Sequence, residues 1–212
     1  PDFKATDMPH GVEGHIQTNA YPVRERPRRL PPDKLAAVKA EFEQMEKAGI
    51  VRRSNSGWAA PLHCVTKKDL SWRPCGDYRR LNSLTEDDAY PIPNISDFTS
   101  KLAGKKIFSK VDLAKGYHQI PVHPADIAKT AVITPFGLFE YLRMPFGLKN
   151  SCQTFQRMMD VVTAGLDDIF CYIDDIIIAS RTEAEHEAAL RTLFARLAQH
   201  GLAIQLSKCE FG

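Results

Sequence analysis

Apolar residues recur at steps of three and four through residues 33–49. Leu35, Val38, Phe42 and Met45 fall on one helical face, Asp33 opens the run and Gly49 stops it. Before it, Pro22, Pro27, Pro31 and Pro32 keep residues 1–32 extended, as an arm laid over a surface. Residues 50–83 read as a β-rich lobe broken by turns, and 84–93 as a second connector. A short helix follows, with Ile95, Phe98 and Leu102 inward and Gly104 as its stop. Residues 107–112 read as a strand and 151–164 as a helix, with Phe155, Met158 and Val162 on one face. Residues 170–179 then form two short apolar strands joined by a tight turn. Thr182 and Glu185 have capping-box spacing ahead of a helix that turns Leu190, Leu193, Phe194 and Leu197 inward. Gly201 ends it, and 203–206 is a last strand.

From residue 107 the order is β-α-β-β-α-β, with 113–150 inserted after the first strand. This α+β order matches the ferredoxin-like split unit, in which helices cover one face of the sheet. In that topology the first two strands run parallel with the third between them, so their C-terminal ends share one edge. Asp112 closes the first strand, and Asp174 and Asp175 form the turn after the second. An Asp pair in a turn is ordinary when solvated. Here its flanks, Cys171 to Ile173 and Ile176 to Ile178, are apolar apart from the Tyr172 hydroxyl. Charges beside such a core are costly unless paired, and the nearest following cation is Arg181. Three converging carboxylates point to a divalent metal, and oxygen ligands suit Mg²⁺.

Composition narrows the class. Of 212 residues, 43% are hydrophobic and 25% charged, which suits a globular chain and not a disordered one. No apolar run approaches a membrane span and no signal peptide opens the chain, so no membrane partner is expected. Without an initiator Met, the chain reads as a piece of a longer one. Its five widely spaced cysteines read as free thiols. His118 and His123 lack zinc spacing and read as structural or exposed. Net charge is only +2, but residues 1–110 carry 19 Lys and Arg against 14 Asp and Glu, and residues 111–212 carry 9 against 12. A basic front suits a polyanion and an acidic back suits metal. Arg24, Arg26, Arg28 and Arg29 form either a solvated face or a phosphate contact. Lys67, Lys68 and Arg73 surround a hairpin tip, and no P-loop motif accompanies them.

Several runs together carry a family resemblance. They are Asp77-Tyr78-Arg79-Arg80-Leu81-Asn82, Phe108-Ser109-Lys110-Val111-Asp112-Leu113 with Gly116-Tyr117-His118-Gln119-Ile120, Met144-Pro145-Phe146-Gly147-Leu148 with Thr154-Phe155-Gln156, Tyr172-Ile173-Asp174-Asp175, and Lys208-Cys209-Glu210-Phe211. From about His15 to Phe211 the chain resembles the fingers and palm of reverse transcriptases of gypsy-type LTR retrotransposons and retroviruses. The resemblance implies a right-hand polymerase fold. Residues 1–32 would be an N-terminal arm and 33–106 mainly fingers. Residues 107–112 and 151–212 would be palm, with 113–150 as the fingers–palm insertion. Thumb, connection and RNase H would be absent.

The resemblance also implies site roles. Asp112, Asp174 and Asp175 would be catalytic and would hold two Mg²⁺ ions, with Mn²⁺ as an alternative. Lys67 and Arg73 would hold the dNTP triphosphate, helped by the backbone amides of Leu113, Ala114 and Lys115. Tyr117 would lie under the incoming sugar and exclude a 2′-hydroxyl, and Gly147 would pack against the nascent base pair. Arg79 and Tyr172 would contact nucleic acid. The implied activity is RNA- and DNA-directed DNA synthesis from a primer, with other Pol polyprotein units (thumb, RNase H, protease, integrase) as partners. It would occur in a cytoplasmic virus-like particle or in the nucleus, not outside the cell. The alternative is an inactive remnant that only binds nucleic acid. A carboxylate–metal nuclease gives Tyr117 and the fingertip cations no purpose, and RNA polymerases with such a palm use a smaller residue at Tyr117. Pro74 and Gly76 depart from the family, which usually has larger apolar residues there, and Ser151-Cys152 replaces small apolar ones.

Overall fold

The computed structural model describes residues 9–66, 71–172 and 175–212. In chain order the elements begin with α1 (Pro32–Lys47), β1 (Val51–Arg53), β2 (Ala60–Thr66), β3 (Trp72–Gly76), α2 (Arg79–Leu84), α3 (Ile95–Leu102) and β4 (Ile107–Asp112). They continue with β5 (Val132–Thr134), β6 (Gly137–Tyr141), α4 (Ser151–Val162), β7 (Ile169–Tyr172), β8 (Asp175–Ser180) and α5 (Glu183–Gln199). Short 3₁₀ turns cover Gly116–Gln119, Ile127–Thr130 and Leu206–Lys208. Tertiary contacts divide the described residues into two units.

The first unit comprises residues 13–88 and 120–151. Helix α1 starts at Pro32, one residue ahead of the expected Asp33, because proline at the first helical position gives up no hydrogen bond. Asp33 in its first turn and Lys47 in its last complement the helix dipole. Val38, Phe42 and Met45 are buried as their spacing predicts. They meet a five-stranded sheet ordered β1-β6-β5-β2-β3, which is antiparallel except where β2 runs parallel to β5. Phe42 lies 4.9 Å from Phe139, ring to ring.

Residues 79–84 are helical, against the β-rich reading of 50–83. Leu81 and Leu84 stand one turn apart, and the Asp77 carboxylate receives the Arg79 N–H at 3.4 Å at the helix start. Pro74 and Gly76 are accommodated locally. Pro74 sits in β3, an edge strand, where a missing N–H is tolerated. A Cβ at Gly76 would lie 2.5 Å from the Tyr78 ring, so this glycine makes room for a buried tyrosine whose hydroxyl donates to the Thr130 carbonyl at 2.8 Å.

The second unit comprises residues 9–12, 89–119 and 152–212. Its sheet has the order β4-β8-β7 with β8 antiparallel to both neighbours, so β4 and β7 are parallel and end at one edge. Val111, Ile176, Ile178 and Cys171 are buried on one face, and α5 packs on β8 and β4. Helix α4 buries Phe155, Met158, Met159 and Val162. Burial pushes the Cys171 thiol up to about 12. On the sheet's other face, α3 sets Phe98 edge-on to Phe170 and Tyr172, each at 6.0 Å.

The Thr182 side chain accepts the Glu185 N–H at 3.3 Å, but the Glu185 carboxylate accepts the N–H of Arg181, one residue upstream of the cap, at 3.1 Å. The expected strand at 203–206 does not form as a continuous ladder. Leu113 pairs with Ile204 and Lys110 with Glu210 as isolated bridges. Six steps on one side match three on the other, and the 3₁₀ turn Leu206–Lys208 absorbs the excess.

Candidate active site

Strand register builds the acidic edge of the second unit. Asp112, the last residue of β4, stands directly opposite Asp175, the first of β8, and Asp175 stands opposite Tyr172 at the end of β7. Directly opposed residues share a face, so Asp112, Asp175 and Tyr172 project to one side of the sheet while Val111 and Ile176 project into the core. Asp174 lies outside the described residues.

Asp175 has a partner that chain proximity does not reveal. Lys110, on the same face of β4, places its ammonium 2.7 Å from the Asp175 carboxylate, although Arg181 is the nearer cation along the chain. Side chains two apart on a strand share a face, so a cation 65 positions upstream is nearer than one six positions downstream. The Asp175 carboxylate, with the fields of Asp112 and Glu210 added, holds Lys110 above the ordinary lysine range. Both side chains are nearly half exposed. The acidic edge is therefore partly neutralised by the protein itself. Its donor set still consists of carboxylate oxygens, which suit a hard divalent cation.

The backbone after Asp112 is fastened on its open side. The Asp112 carbonyl accepts the Gln205 N–H at 2.8 Å, and the Asp112 N–H points at the Cys209 sulfur at 3.5 Å. Lys110 and Glu210 exchange two backbone hydrogen bonds. The Ala114 N–H donates to the Ala203 carbonyl at 2.9 Å, so of the three amides expected to meet a triphosphate this one is already committed. Lys115 then adopts a left-handed conformation with φ of 49°, which turns the chain into the 3₁₀ segment carrying Tyr117.

Tyr117 is 8% exposed, packs 5.3 Å from the Phe155 ring and sets its hydroxyl 3.5 Å from the Cys152 sulfur. Gly116 lets this turn approach α4, since a Cβ there would lie 3.2 Å from Phe155. Gln119 fixes the turn. Its amide nitrogen donates to the carbonyls of Ala114 at 2.7 Å and Ala203 at 2.8 Å, and its oxygen accepts the Ala203 N–H at 2.8 Å. It is fully buried and belongs to a quoted motif, yet nothing in that motif marks it as a clamp.

The remaining expected site residues belong to the first unit. Lys67 lies outside the described residues. Arg73 is exposed on β3, with its guanidinium over the Phe146 ring at 4.9 Å. The adjoining Gly147 has φ of +88°, which favours glycine. Asn82 holds this loop: it donates to the Gly147 carbonyl at 2.8 Å and accepts the Lys149 N–H at 2.9 Å. Arg79 is engaged with Asp77 through two hydrogen bonds, at 2.8 and 2.7 Å, while remaining 84% exposed. Its guanidinium beside Asp77, joined by Arg28 at 2.6 Å, holds that carboxyl well below the usual range.

A family model described as "Reverse transcriptase (RNA-dependent DNA polymerase)" matches residues 65–212. The chain belongs to the reverse transcriptase family. The retrovirus-related Pol polyprotein from transposon 297 of Drosophila melanogaster is 44% identical over 181 residues, covering 82% of this chain and 17% of that polyprotein. The transposon Tf2-3 polyprotein of Schizosaccharomyces pombe is 37% identical over 202 residues, covering 94% of this chain and 15% of the polyprotein. This reverse transcriptase chain thus spans under a fifth of either relative. The crystal structure of a Prototype Foamy Virus protease–reverse transcriptase matches with a TM-score of 0.87 at 25% identity, over 96% of this chain and 28% of that one. The foamy viral enzyme in complex with an RNA/DNA hybrid shares the fold, with a TM-score of 0.86 at 22% identity.

Proposed function

We propose that this chain carries the nucleotidyl-transfer centre of an RNA- and DNA-directed DNA polymerase. Residues 33–106 would contribute mainly to its fingers, and 107–112 with 151–212 to its palm. The observation that carries the proposal is the register of Asp112 against Asp175 at the end of β4, with Tyr117 on the turn that follows. The reaction joins the primer 3′-oxygen to the α-phosphorus of a dNTP, loses the hydroxyl proton and expels pyrophosphate. Asp112, Asp174 and Asp175 would hold two Mg²⁺ ions, with Mn²⁺ as a substitute, and the bound ions would stabilise charge on the attacking and leaving oxygens.

The chain's own groups do the positioning. Lys67 and Arg73 receive the triphosphate, with the Leu113 and Lys115 amides as further donors once Ala114 is excluded. The Tyr117 ring, fixed by Phe155 and Cys152, lies under the sugar and leaves no room for a 2′-hydroxyl. Gly147 offers a side-chain-free surface to the new base pair, and Arg79 and Tyr172 contact the template–primer. Lys110 compensates Asp175 in this structure and would give that carboxylate up to a bound divalent metal. An RNA/DNA hybrid, the ligand of the foamy viral neighbour, is the substrate class proposed here. The other Pol polyprotein units would act alongside.

The test is primer extension on RNA and DNA templates with and without Mg²⁺, using Asp112→Asn as control. Extension that needs both the metal and Asp112 is the expected result. Primer–template binding with no extension under any metal would replace it with a binding module that has no polymerase activity.

A further inference from the structure

A second set of ligand-type side chains lies in the first unit, away from the acidic edge in sequence and unconnected to the polymerase reading. His15, His123 and Asp126 each offer one ligand atom, and the three atoms lie within 4.8 Å of one another. The His15 Nδ1 is 3.8 Å from the Asp126 carboxylate, and the two imidazole rings are 4.6 Å apart. A tetrahedral ion with ligands at about 2.0–2.2 Å needs them roughly 3.5 Å apart, so a modest closure brings the three to one ion, with water in the fourth position. His15 is 54% exposed and has room to make that movement.

Asp126 is 10% exposed, and its carboxylate is already aimed. One oxygen accepts the Ile16 N–H at 2.9 Å and the other accepts from Lys129 at 2.7 Å. Such outer partners orient a ligating carboxylate. Glu13 lies 3.9 Å from the His123 Nε2. Where His123 ligates through Nδ1, displacing the 3.3 Å contact from the Ala125 N–H, Glu13 is placed to accept the remaining ring proton.

We propose that His15, His123 and Asp126 form a binding site for a borderline-soft divalent cation of the Zn²⁺ class. Two imidazoles and one carboxylate select such an ion over Mg²⁺, which prefers all-oxygen ligands. The site staples the extended N-terminal segment to the 121–126 loop. Those strands of chain are otherwise joined by the Gly14–Val122 bridge and by backbone bonds from Gly14 to Pro121 and from His123 to Gly14, at 2.8 and 2.9 Å.

The test is calorimetric titration of the full chain with ZnCl₂ in excess Mg²⁺, added to fill the metal edge proposed at Asp112 and Asp175, together with visible spectra of the Co²⁺ form. Expected are one tight Zn²⁺ per chain and a tetrahedral Co²⁺ band without thiolate charge transfer. Affinity should fall more than about 10-fold in both His15→Ala and His123→Ala, and stay unchanged in Asp112→Asn. His15 is half exposed, so its variant folds normally and keeps the comparison clean. Absence of Zn²⁺ binding, parent-like Zn²⁺ affinity in either histidine variant, or a thiolate band assigning the ion to cysteine would each overturn the site.

Discussion

Asp77 and Asp175 each hold a basic side chain at hydrogen-bonding distance, but the two pairs differ in worth. Asp77 is 11% exposed and receives Arg79 and Arg28 together, whereas Asp175 and Lys110 are both nearly half in water. An exposed ion pair contributes under about 1 kcal/mol, while hydrogen bonds to a poorly solvated charge contribute about 1.5–3. Because the Asp77 carboxyl titrates below its unfolded value, its stabilisation is present above about pH 4 and is lost as pH falls through the folded value. Asp77→Asn should therefore cost about 1–3 kcal/mol in urea unfolding at pH 7, with the gap to the parent chain narrowing below pH 4. Lys110 behaves in the opposite sense: its contribution is complete at pH 7 and lost only as pH rises through its raised value. Lys110→Met should shift stability at pH 7 by less than about 1 kcal/mol, so a larger effect on polymerase activity would be read as its role beside Asp175. Gly76→Ala meets a ring that cannot retreat, since Tyr78 is buried and tethered to Thr130. A loss of about 1–3 kcal/mol is expected, measured as a lower urea midpoint with the slope unchanged.

At the scale of elements, the turn after β4 depends on one side chain. Gln119 makes three hydrogen bonds that tie Ala114 and Ala203, and Leu in its place would leave their polar atoms without those partners in a part-buried setting. Gln119→Leu should speed amide exchange at Ala203 and lower polymerase turnover, while the β7–β8 hairpin keeps its protection. Unchanged exchange at Ala203 would remove Gln119 from this role. The same element shows where sequence reading succeeds and where it stops. Strands β4, β7 and β8 and helices α1 and α5 follow from local periodicity and caps, because a 2.0 or 3.6 repeat is written in adjacent residues. The placing of Asp112 and Asp175 at one edge also follows, since the topology leaves few ways to pair two parallel strands with a third between them, but their direct opposition in register does not. Lys110 opposite Asp175, Gln119 across to Ala203, and β5 and β6 joining β2 in one sheet depend on contacts between distant residues, and no short-range pattern encodes them. The broken strand at 203–210 lies between these cases: the Ala203 to Leu206 run, apolar apart from Gln205, marks a strand, but not the 3₁₀ turn that interrupts it.

For the whole molecule, the proposed activity separates into holding a polyanion and reacting on it, and the charge distribution lets the two be tested apart. The excess of basic over acidic residues lies in residues 1–110, and the carboxylates that would bind metal lie in residues 112–175. Phosphate contacts release counterions, so primer–template affinity should fall linearly on a log–log plot against salt, with a slope of about −0.9 per phosphate neutralised on a duplex. Removing a carboxylate takes negative charge away from the path of the nucleic acid. Asp112→Asn and Asp174→Asn should thus bind primer–template at least as tightly as the parent chain, with the same salt slope. Their extension rate should fall by at least on the order of 10²–10³, the size of a lost charge-stabilising contact in a transition state. Tyr117→Ala should leave binding and the dNTP rate of the same order and raise rNTP incorporation, because in the proposed role its ring meets only the sugar of the incoming nucleotide. A parallel loss of binding and extension in the Asp variants would mean that those carboxylates support the fold of the palm sheet and not the chemistry. Unaltered sugar discrimination would return Tyr117 to the packing it makes with Phe155.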